Sequence, residues 1–384
     1  MKVLYSAIDQ RVPGTTGGSV HVRAVAEGLA RLGHEVHALV TPGEPGLPGG
    51  PVHWHAMAAP LGRPQLRLLR LRAVAGVARR LRPDVVMERY HNFGGEGMLA
   101  ARRVGARALL EVNAPIIDYP GSPKRRLDRA LIVEPMRRWR DRICRAADAI
   151  ITPSAAIVPA WIPRDRIVEI EWGADIERFH PGATGPVPFE RRAGETIAVF
   201  AGAFRPWHGA IRLVEAIREI RARGQTAIRA VLVGDGPELD RTRRAAAGLD
   251  GVTFTGPIPH DRMPSCLAAA DIGVAPFDVS AHAPLTLGFY WSPLKVFEYM
   301  AAGLPVVAPA IDRLRGIVRH EREGLLYDAA EPGALGRALD TLADPARRAA
   351  LGAAARTRVV ERFSWTAHCA KLDEVMRGTI RCES

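Results

Sequence analysis

The chain has 384 residues, a net charge of +12 at pH 7 and 47% hydrophobic residues, enough for two buried cores and against disorder as its overall state. No apolar run approaches the roughly 20 residues needed to span a bilayer, and Met1-Lys2 leads directly into an apolar strand without a signal-peptide core; a soluble, unprocessed cytoplasmic protein is expected. Cys144, Cys266, Cys369 and Cys382 are too scattered for a zinc site or a disulfide framework and read as reduced thiols.

In chain order, residues 2–7 form an apolar strand, a polar Gly-rich loop covers 9–18, an amphipathic helix runs from about 19 to 32, and a second strand covers 35–40. The loop holds Thr15-Thr16-Gly17-Gly18, not the G-x-G-x-x-G of a dinucleotide fingerprint. Gly17 and Gly18 ahead of a helix let backbone N–H groups approach an anion and are counted with the donor-binding residues, although a tight turn needs glycine equally. The alternation continues with a strand over 52–56, a basic helix over 64–81, a strand over 84–88, a helix over 94–104 and a strand over 108–112. A polar connection over 113–122 then leads to a helix ending near 147 and a strand over 149–152. Such alternation implies a parallel sheet covered on both faces, with ligands beyond the carboxyl ends of its strands. Glu88, Arg89, His91, Asn113 and Asp118 fall there. His53 and His55 alternate on one strand without a third ligand and read as surface imidazoles, not zinc ligands.

Arginine carries almost all the positive charge, since the only lysines are Lys2, Lys124, Lys295 and Lys371. Arg67, Arg70, Arg72, Arg79, Arg80 and Arg82 crowd one helix; Arg137, Arg138, Arg140, Arg142 and Arg145 crowd another. Runs of this kind are mostly solvated faces. The sharper reading is a role in holding an anionic acceptor or an anionic membrane, the latter as peripheral contact at the inner face for a cytoplasmic protein. Nucleic acid is not expected, because no recognition module or aromatic-interleaved basic stripe is present.

Breaker-rich residues 181–195 read as a linker between a domain over 1–180 and a second α/β domain over 196–363; the helix in 364–384 has no following strand and is expected to return to the first domain. Together these give two Rossmann-like, doubly wound α/β domains facing a cleft. Strands are expected over 196–201, 228–233, 252–255, 272–275 and 306–308. The stretch 289–309 stands out. A helix opens at Ser292-Pro293, carries Lys295 and Glu298 on its first turns, and feeds the last of those strands. A helix N-terminus suits a phosphate, with Leu294 and Lys295 nearest it; Glu298, a turn deeper, suits two ribose hydroxyls. Arg205 adds positive charge for a diphosphate. No D-x-D triplet occurs, so no carboxylate-held metal and no other cofactor is expected.

Gly-Asp-Gly-Pro at 234–237, Val-Thr-Phe-Thr-Gly at 252–256, Ala-Ala-Asp-Ile-Gly-Val-Ala-Pro at 269–276 and Glu-Tyr-Met-Ala-Ala-Gly-Leu-Pro-Val-Val at 298–307 resemble glycosyltransferase family 4. So do the Gly17-Gly18 loop, Ala-Asp-Ala-Ile-Ile-Thr-Pro-Ser at 147–154 and Trp-Gly-Ala-Asp-Ile-Glu-Arg-Phe at 172–179. The resemblance spans nearly the whole chain. It implies a GT-B fold and retaining, metal-independent transfer of a sugar from a nucleotide-sugar donor to a hydroxyl of a glycan, glycolipid or small molecule. By position it assigns Glu298 to the donor ribose and places Gly234 in the donor site. Tyr290 stands where the family has a first glutamate, which moves sugar recognition to Tyr290, Ser292, Lys295 or the loop over 278–287. Arg205 takes over the phosphate-loop contact, with His208 as a neutral or protonated second donor. Asn113 stands where a His is common; Asn is no base, and the leaving phosphate accepts the acceptor's proton instead. Glu88, Arg89, His91 and Asp118 are the acceptor-side candidates. The competing readings are a nucleotide-sugar-binding protein without turnover and a phosphorylase or epimerase on the same fold.

Overall fold

The computed structural model describes residues 1–44, 46–57, 61, 69–92, 94–119, 122–311 and 313–379. The expected helix start over 64–68 with Arg67, and Cys382 with the end of the C-terminal segment, lie outside them. The chain divides into two compact units, one comprising Met1–Trp172, Tyr290–Ser292 and Trp365–Ser384, the other Gly173–Phe289 and Pro293–Ser364.

Among the described residues, the first unit holds a seven-stranded parallel sheet of β1 (Lys2–Val12), β2 (Glu35–Pro42), β3 (His53–Ala56), β4 (Val85–Arg89), β5 (Arg107–Glu111), β6 (Ala149–Thr152) and β7 (Ile167–Glu169). Their spatial order is β3-β2-β1-β4-β5-β6-β7. Helices cover both faces, so the central strands are largely apolar: Val3, Leu4, Tyr5 and Ala7 of β1 are all fully buried. The strand order reverses between β1 and β4, which opens a crevice at the carboxyl ends of those two strands.

Helix Gly17–Arg31 starts where Thr16 accepts a hydrogen bond from the Ser19 N–H at 3.3 Å. It buries Val22, Val25, Ala26 and Leu29. Helix Trp365–Arg377 returns to this unit, as expected, and packs against it: a Cβ at Gly28 would lie 2.4 Å from Cys369 Sγ.

Among the described residues, the second unit holds a six-stranded parallel sheet of β8 (Thr196–Ala201), β9 (Ile228–Val233), β10 (Val252–Gly256), β11 (Ile272–Val274), β12 (Val306–Pro309) and β13 (Gly324–Tyr327), in the order β10-β9-β8-β11-β12-β13. Its reversal falls between β8 and β11. Phe200, Phe204, Leu213, Ile217, Leu232 and Val307 form part of one buried cluster against helix Ala210–Ala222. Helix Leu294–Ala301 is fixed to this sheet by Tyr299. The Tyr299 hydroxyl accepts from the Ala201 N–H at 2.7 Å, and its ring fills the space over Gly273, where a Cβ would come within 2.5 Å.

Three sequence expectations change. The single helix ending near 147 is two, Pro123–Leu131 and Pro135–Ala146; Asp128 of the first accepts from the N–H groups of Met136 at 2.9 Å and Arg137 at 3.1 Å, capping the second. The edge strands β7 and β13 are additional. The parallel register sets His37 beside His53, so the imidazoles on β3 are joined by a third: His37 stacks on His53 with centroids 4.6 Å apart, and its Nδ1 lies 3.0 Å from His55 Nε2. Among the described residues no group of three or more His, Cys, Asp and Glu is arranged to hold a metal ion, and no helix is long and apolar enough to cross a membrane.

Candidate functional site

In the second unit, the loops beyond β8 and β9 approach so closely that only glycine fits. A Cβ on Gly234, at a φ of +128°, would lie 2.0 Å from the Gly202 carbonyl oxygen. Gly202, at a φ of +140°, lies against Lys295: its Cβ would be 2.9 Å from Lys295 Nζ. That ammonium sits 4.2 Å from the Phe200 ring centroid and 5.5 Å from that of Phe277, and it is buried without a hydrogen-bond partner. Burial pulls Lys295 down to about 7, against the opposing pull of Glu298. A cation is thus held at the switch point with nothing to neutralise it fully.

Around Lys295, helix Leu294–Ala301 begins at Pro293, which gives no side-chain cap, and has no acidic residue in its first turn. The N–H groups of Leu294 and Lys295 therefore face a region of positive potential. His208 Nδ1 donates to the Ala203 carbonyl at 2.6 Å. Burial first, then the Lys295 and Arg205 cations, push His208 down to about 3. It is neutral, and its Nε2 carries a lone pair; the sequence expectation of a second donor is corrected to an acceptor at that atom. Arg205 is exposed, its guanidinium 5.9 Å from the Trp207 ring centroid. Glu298 is partly buried, with Oε1 3.3 Å from His260 Nε2; the ring of His260 rests edge-on at 5.7 Å from Phe179. No motif in the sequence pointed to His260, which lies 38 residues before its partner.

Tyr290 and Ser292, expected with the donor residues, belong to the first unit. Ser292 Oγ donates to Glu171 at 2.5 Å and accepts from the Trp172 N–H at 3.0 Å. Its proton and a lone pair are committed to Glu171 and Trp172, so the structure gives Ser292 a structural task. Tyr290 is buried, and burial followed by the nearby Tyr119 pushes its phenol up to about 12.

The first unit collects a different set at the carboxyl ends of β1, β4 and β5. Glu111 accepts from Tyr5 at 2.6 Å and from His21 Nε2, all three being buried. Burial alone would raise Glu111; His21, Arg89 and the Tyr5 hydroxyl outweigh it and hold Glu111 well below the usual carboxylate range. Burial lowers His21 despite Glu111. Within the pair, the Glu111 carboxylate accepts from His21 Nε2, and burial and the Glu111 charge pull His21 in opposite directions. Trp172 stacks on His21 at 4.4 Å, and His368 meets it edge-on at 5.4 Å. Trp172 Nε1 donates to Asn113 Oδ1 at 2.9 Å, while Asn113 Nδ2 is buried without a partner. Arg89 Nε lies 3.7 Å from Asp9, and its Nη1 is buried without a hydrogen bond. A Cβ on Gly18 would lie 3.4 Å from Arg89 Nη2, and one on Gly17 would lie 3.6 Å from the Trp172 ring. Gly17, Gly18, Arg89 and Asn113 are thus brought together.

The remaining acceptor-side candidates have structural partners. Glu88 accepts from the N–H groups of Gly95 at 2.5 Å and Met98 at 2.7 Å, capping helix Glu96–Val104. Burial, then the nearby Glu96 carboxylate, raises Glu88 to about 8. His91 lies 3.9 Å from Glu96, and Asp118 pairs with Arg137 at 3.1 Å. Tyr5, His21, Glu111 and His368 were missed by sequence reasoning, because their partners are 90 or more residues away in the chain.

Two doubly wound α/β units with glycine-lined switch points define the GT-B class of glycosyltransferase fold. Residues 195–344 match the family described as Glycosyl transferases group 1, and residues 16–168 match the Glycosyl transferase 4-like domain. The 2-deoxystreptamine N-acetyl-D-glucosaminyltransferase of Streptomyces fradiae is 31% identical over 76% of this chain and 70% of its own length. A GDP-mannose-dependent alpha-mannosyltransferase of Mycobacterium tuberculosis is 28% identical over 96% and 95%. Among solved structures, sucrose-phosphate synthase of Thermosynechococcus elongatus superposes with a TM-score of 0.72 at 22% identity over 98% of both chains. Anabaena HepE in complex with UDP-glucose gives 0.68 at 20% identity over 98% of this chain and all of HepE. The chain belongs to glycosyltransferase family 4 and is a glycosyltransferase.

Proposed function

We propose that the chain is a retaining, hexosyltransferase-type enzyme that carries a sugar from a nucleotide-diphosphate sugar to a hydroxyl of a glycan, glycolipid or small-molecule acceptor. The observation that carries this reading is Lys295, an ammonium buried without a partner against the Gly202 backbone and close to the start of helix Leu294–Ala301. A diphosphate supplies the missing acceptor. Arg205 and the Leu294 N–H share its charge, with no metal or other cofactor. Glu298, positioned by His260, keeps its second oxygen for the ribose hydroxyls. The glycine turn at Gly234 lets the nucleotide lie on bare backbone.

As the sugar–phosphate bond breaks, negative charge grows on the leaving oxygen, where a donor already aimed stabilises it most. The acceptor hydroxyl attacks the anomeric carbon on the face the phosphate leaves, and its proton passes to that phosphate oxygen. This step asks for no protein base, which fits Asn113 at the end of β5. Arg89 offers an acceptor-side contact, and the Gly17-Gly18 turn offers bare backbone to the donor. The relatives bear on substrate class. Several are named for GDP-mannose and for phosphatidylinositol monomannoside, another for 2-deoxystreptamine, and HepE was solved with UDP-glucose. Peripheral contact with an anionic membrane belongs to the same reading.

Thermal shifts against UDP-, GDP-, ADP- and dTDP-sugars test the donor, since a ligand at 100 times its Kd stabilises by about 2.7 kcal/mol. Release of nucleoside diphosphate over an acceptor panel tests transfer. Absence of any donor shift, binding without turnover, or turnover that requires inorganic phosphate would each remove the proposal.

A further inference from the structure

Helix Pro123–Leu131 and the turn after it direct aliphatic side chains outward, whereas helix Pro135–Ala146 buries Ile143 and Cys144. Leu127 and Leu131, one helical turn apart, are 40% and 48% exposed, and Ile132 and Val133 in the turn between the helices are 87% and 54% exposed. The polar Asp128, by contrast, is buried, held under the turn by the N–H groups it accepts from. Ile132 takes a φ of +55°, which a β-branched residue rarely adopts. The turn thus presents four adjacent aliphatic side chains to solvent, a patch of the kind that marks an interaction surface.

Charge selects the occupant. Residues 122–145 contain nine Lys and Arg against three Asp and Glu, half of the net charge of the whole chain. All three acids are engaged. Asp128 caps the second helix, Glu134 pairs with Arg137 at 2.8 Å, and Asp141 pairs with Arg140 at 2.7 Å. Arg126 and Arg129 beside the aliphatic patch, and Arg138 and Arg142 beyond it, are exposed. An aliphatic patch rimmed by arginine matches a bilayer surface, where apolar side chains enter the acyl boundary and cations meet anionic headgroups. A nucleic acid would want aromatic stacking in place of aliphatic insertion. A second copy of this chain would bring an equally basic face against it.

We infer that the turn at 131–133, with Leu127, Arg126 and Arg129, docks this protein on an anionic lipid bilayer. The inference deepens the peripheral-contact part of the proposed function and uses no residue of the donor or acceptor sites. The test is flotation of the full chain with vesicles of phosphatidylcholine alone or with 30% phosphatidylglycerol, at low and high salt. Binding is expected only with the anionic lipid, falling at least tenfold on raising salt from about 50 to 500 mM. Ile132→Asp and the pair Arg126→Glu with Arg129→Glu should each reduce flotation at least tenfold, while thermal shifts by nucleotide sugar stay unchanged. Retained donor shifts show that the enzyme is intact, which separates failure of this inference from failure of the transferase reading. Absence of flotation by the unmodified chain, equal flotation of the variants, or a dimer in light scattering that Ile132→Asp converts to monomer would overturn it.

Discussion

Replacing Lys295 with Met should move two properties in opposite directions. The ammonium is buried between Phe200 and Phe277 without a hydrogen-bond partner, and burial holds it near 7 where the ordinary value is 10.5. Between those two values the unfolded chain binds a proton that the folded chain does not, so stability of the unliganded protein rises with pH across that window. Lys295→Met abolishes the rise and increases Tm at pH 7. Donor affinity should fall, because a charge-assisted hydrogen bond is worth about 1.5–3 kcal/mol, or roughly 10–150-fold in Kd. The diphosphate also raises the Lys295 value, so binding takes up a proton above pH 7, and the wild-type Kd should weaken by up to about tenfold per pH unit there. Titration calorimetry with a nucleoside diphosphate from pH 6 to 9, in two buffers of different ionisation enthalpy, reads both Kd and proton uptake. Equal pH slopes for wild type and Lys295→Met would refute the assignment of the ammonium to the diphosphate.

Glu298→Ala should weaken nucleotide-sugar binding by about 1.5–3 kcal/mol, read as Kd, and an unchanged Kd would free the ribose from Glu298. Gly234→Ala places a Cβ 2.0 Å from the Gly202 carbonyl oxygen; both donor thermal shift and unliganded Tm should drop, and a normal donor shift would contradict the close backbone approach. His21→Leu removes a hydrogen bond to the buried Glu111 carboxylate and should cost about 1.5–3 kcal/mol in denaturant unfolding. Because Glu111 is depressed from the ordinary 4.5, its contribution is present in full above that value and is lost as pH falls through the folded one. A Glu111→Gln chain should therefore lose less stability below pH 4.5 than wild type, and parallel acid curves would count against the buried ion.

The alternation of strands and helices was legible because parallel strands buried on both faces read as near-continuous apolar runs, as at 196–201 and 228–233. The edge strands Ile167–Glu169 and Gly324–Tyr327 were not, since three or four half-exposed residues carry no period. Pro135 marked the second of the two basic helices, but the turn before it, Leu131-Ile132-Val133, contains neither Gly nor Pro and hid the break. Gly234, Lys295 and Glu298 could be singled out as candidates because each lies in a local motif. Glu88 misled, since a carboxylate at a strand end serves a ligand and a helix N-terminus equally well. Ser292 misled for a related reason, because its hydrogen-bond partners Glu171 and Trp172 lie 121 and 120 residues away in the chain. The Tyr5–Glu111–His21 cluster depends on residues brought together only by the sheet, and a single sequence carries no signal for that.

Retaining transfer from a nucleotide-diphosphate sugar is decided by the anomeric configuration of the product. With a donor identified by thermal shift, proton and carbon coupling constants at the anomeric centre of the isolated product give its configuration by NMR. The same configuration as in the donor is predicted. An inverted anomeric centre would contradict the same-face mechanism and would require a protein base that Asn113 cannot supply.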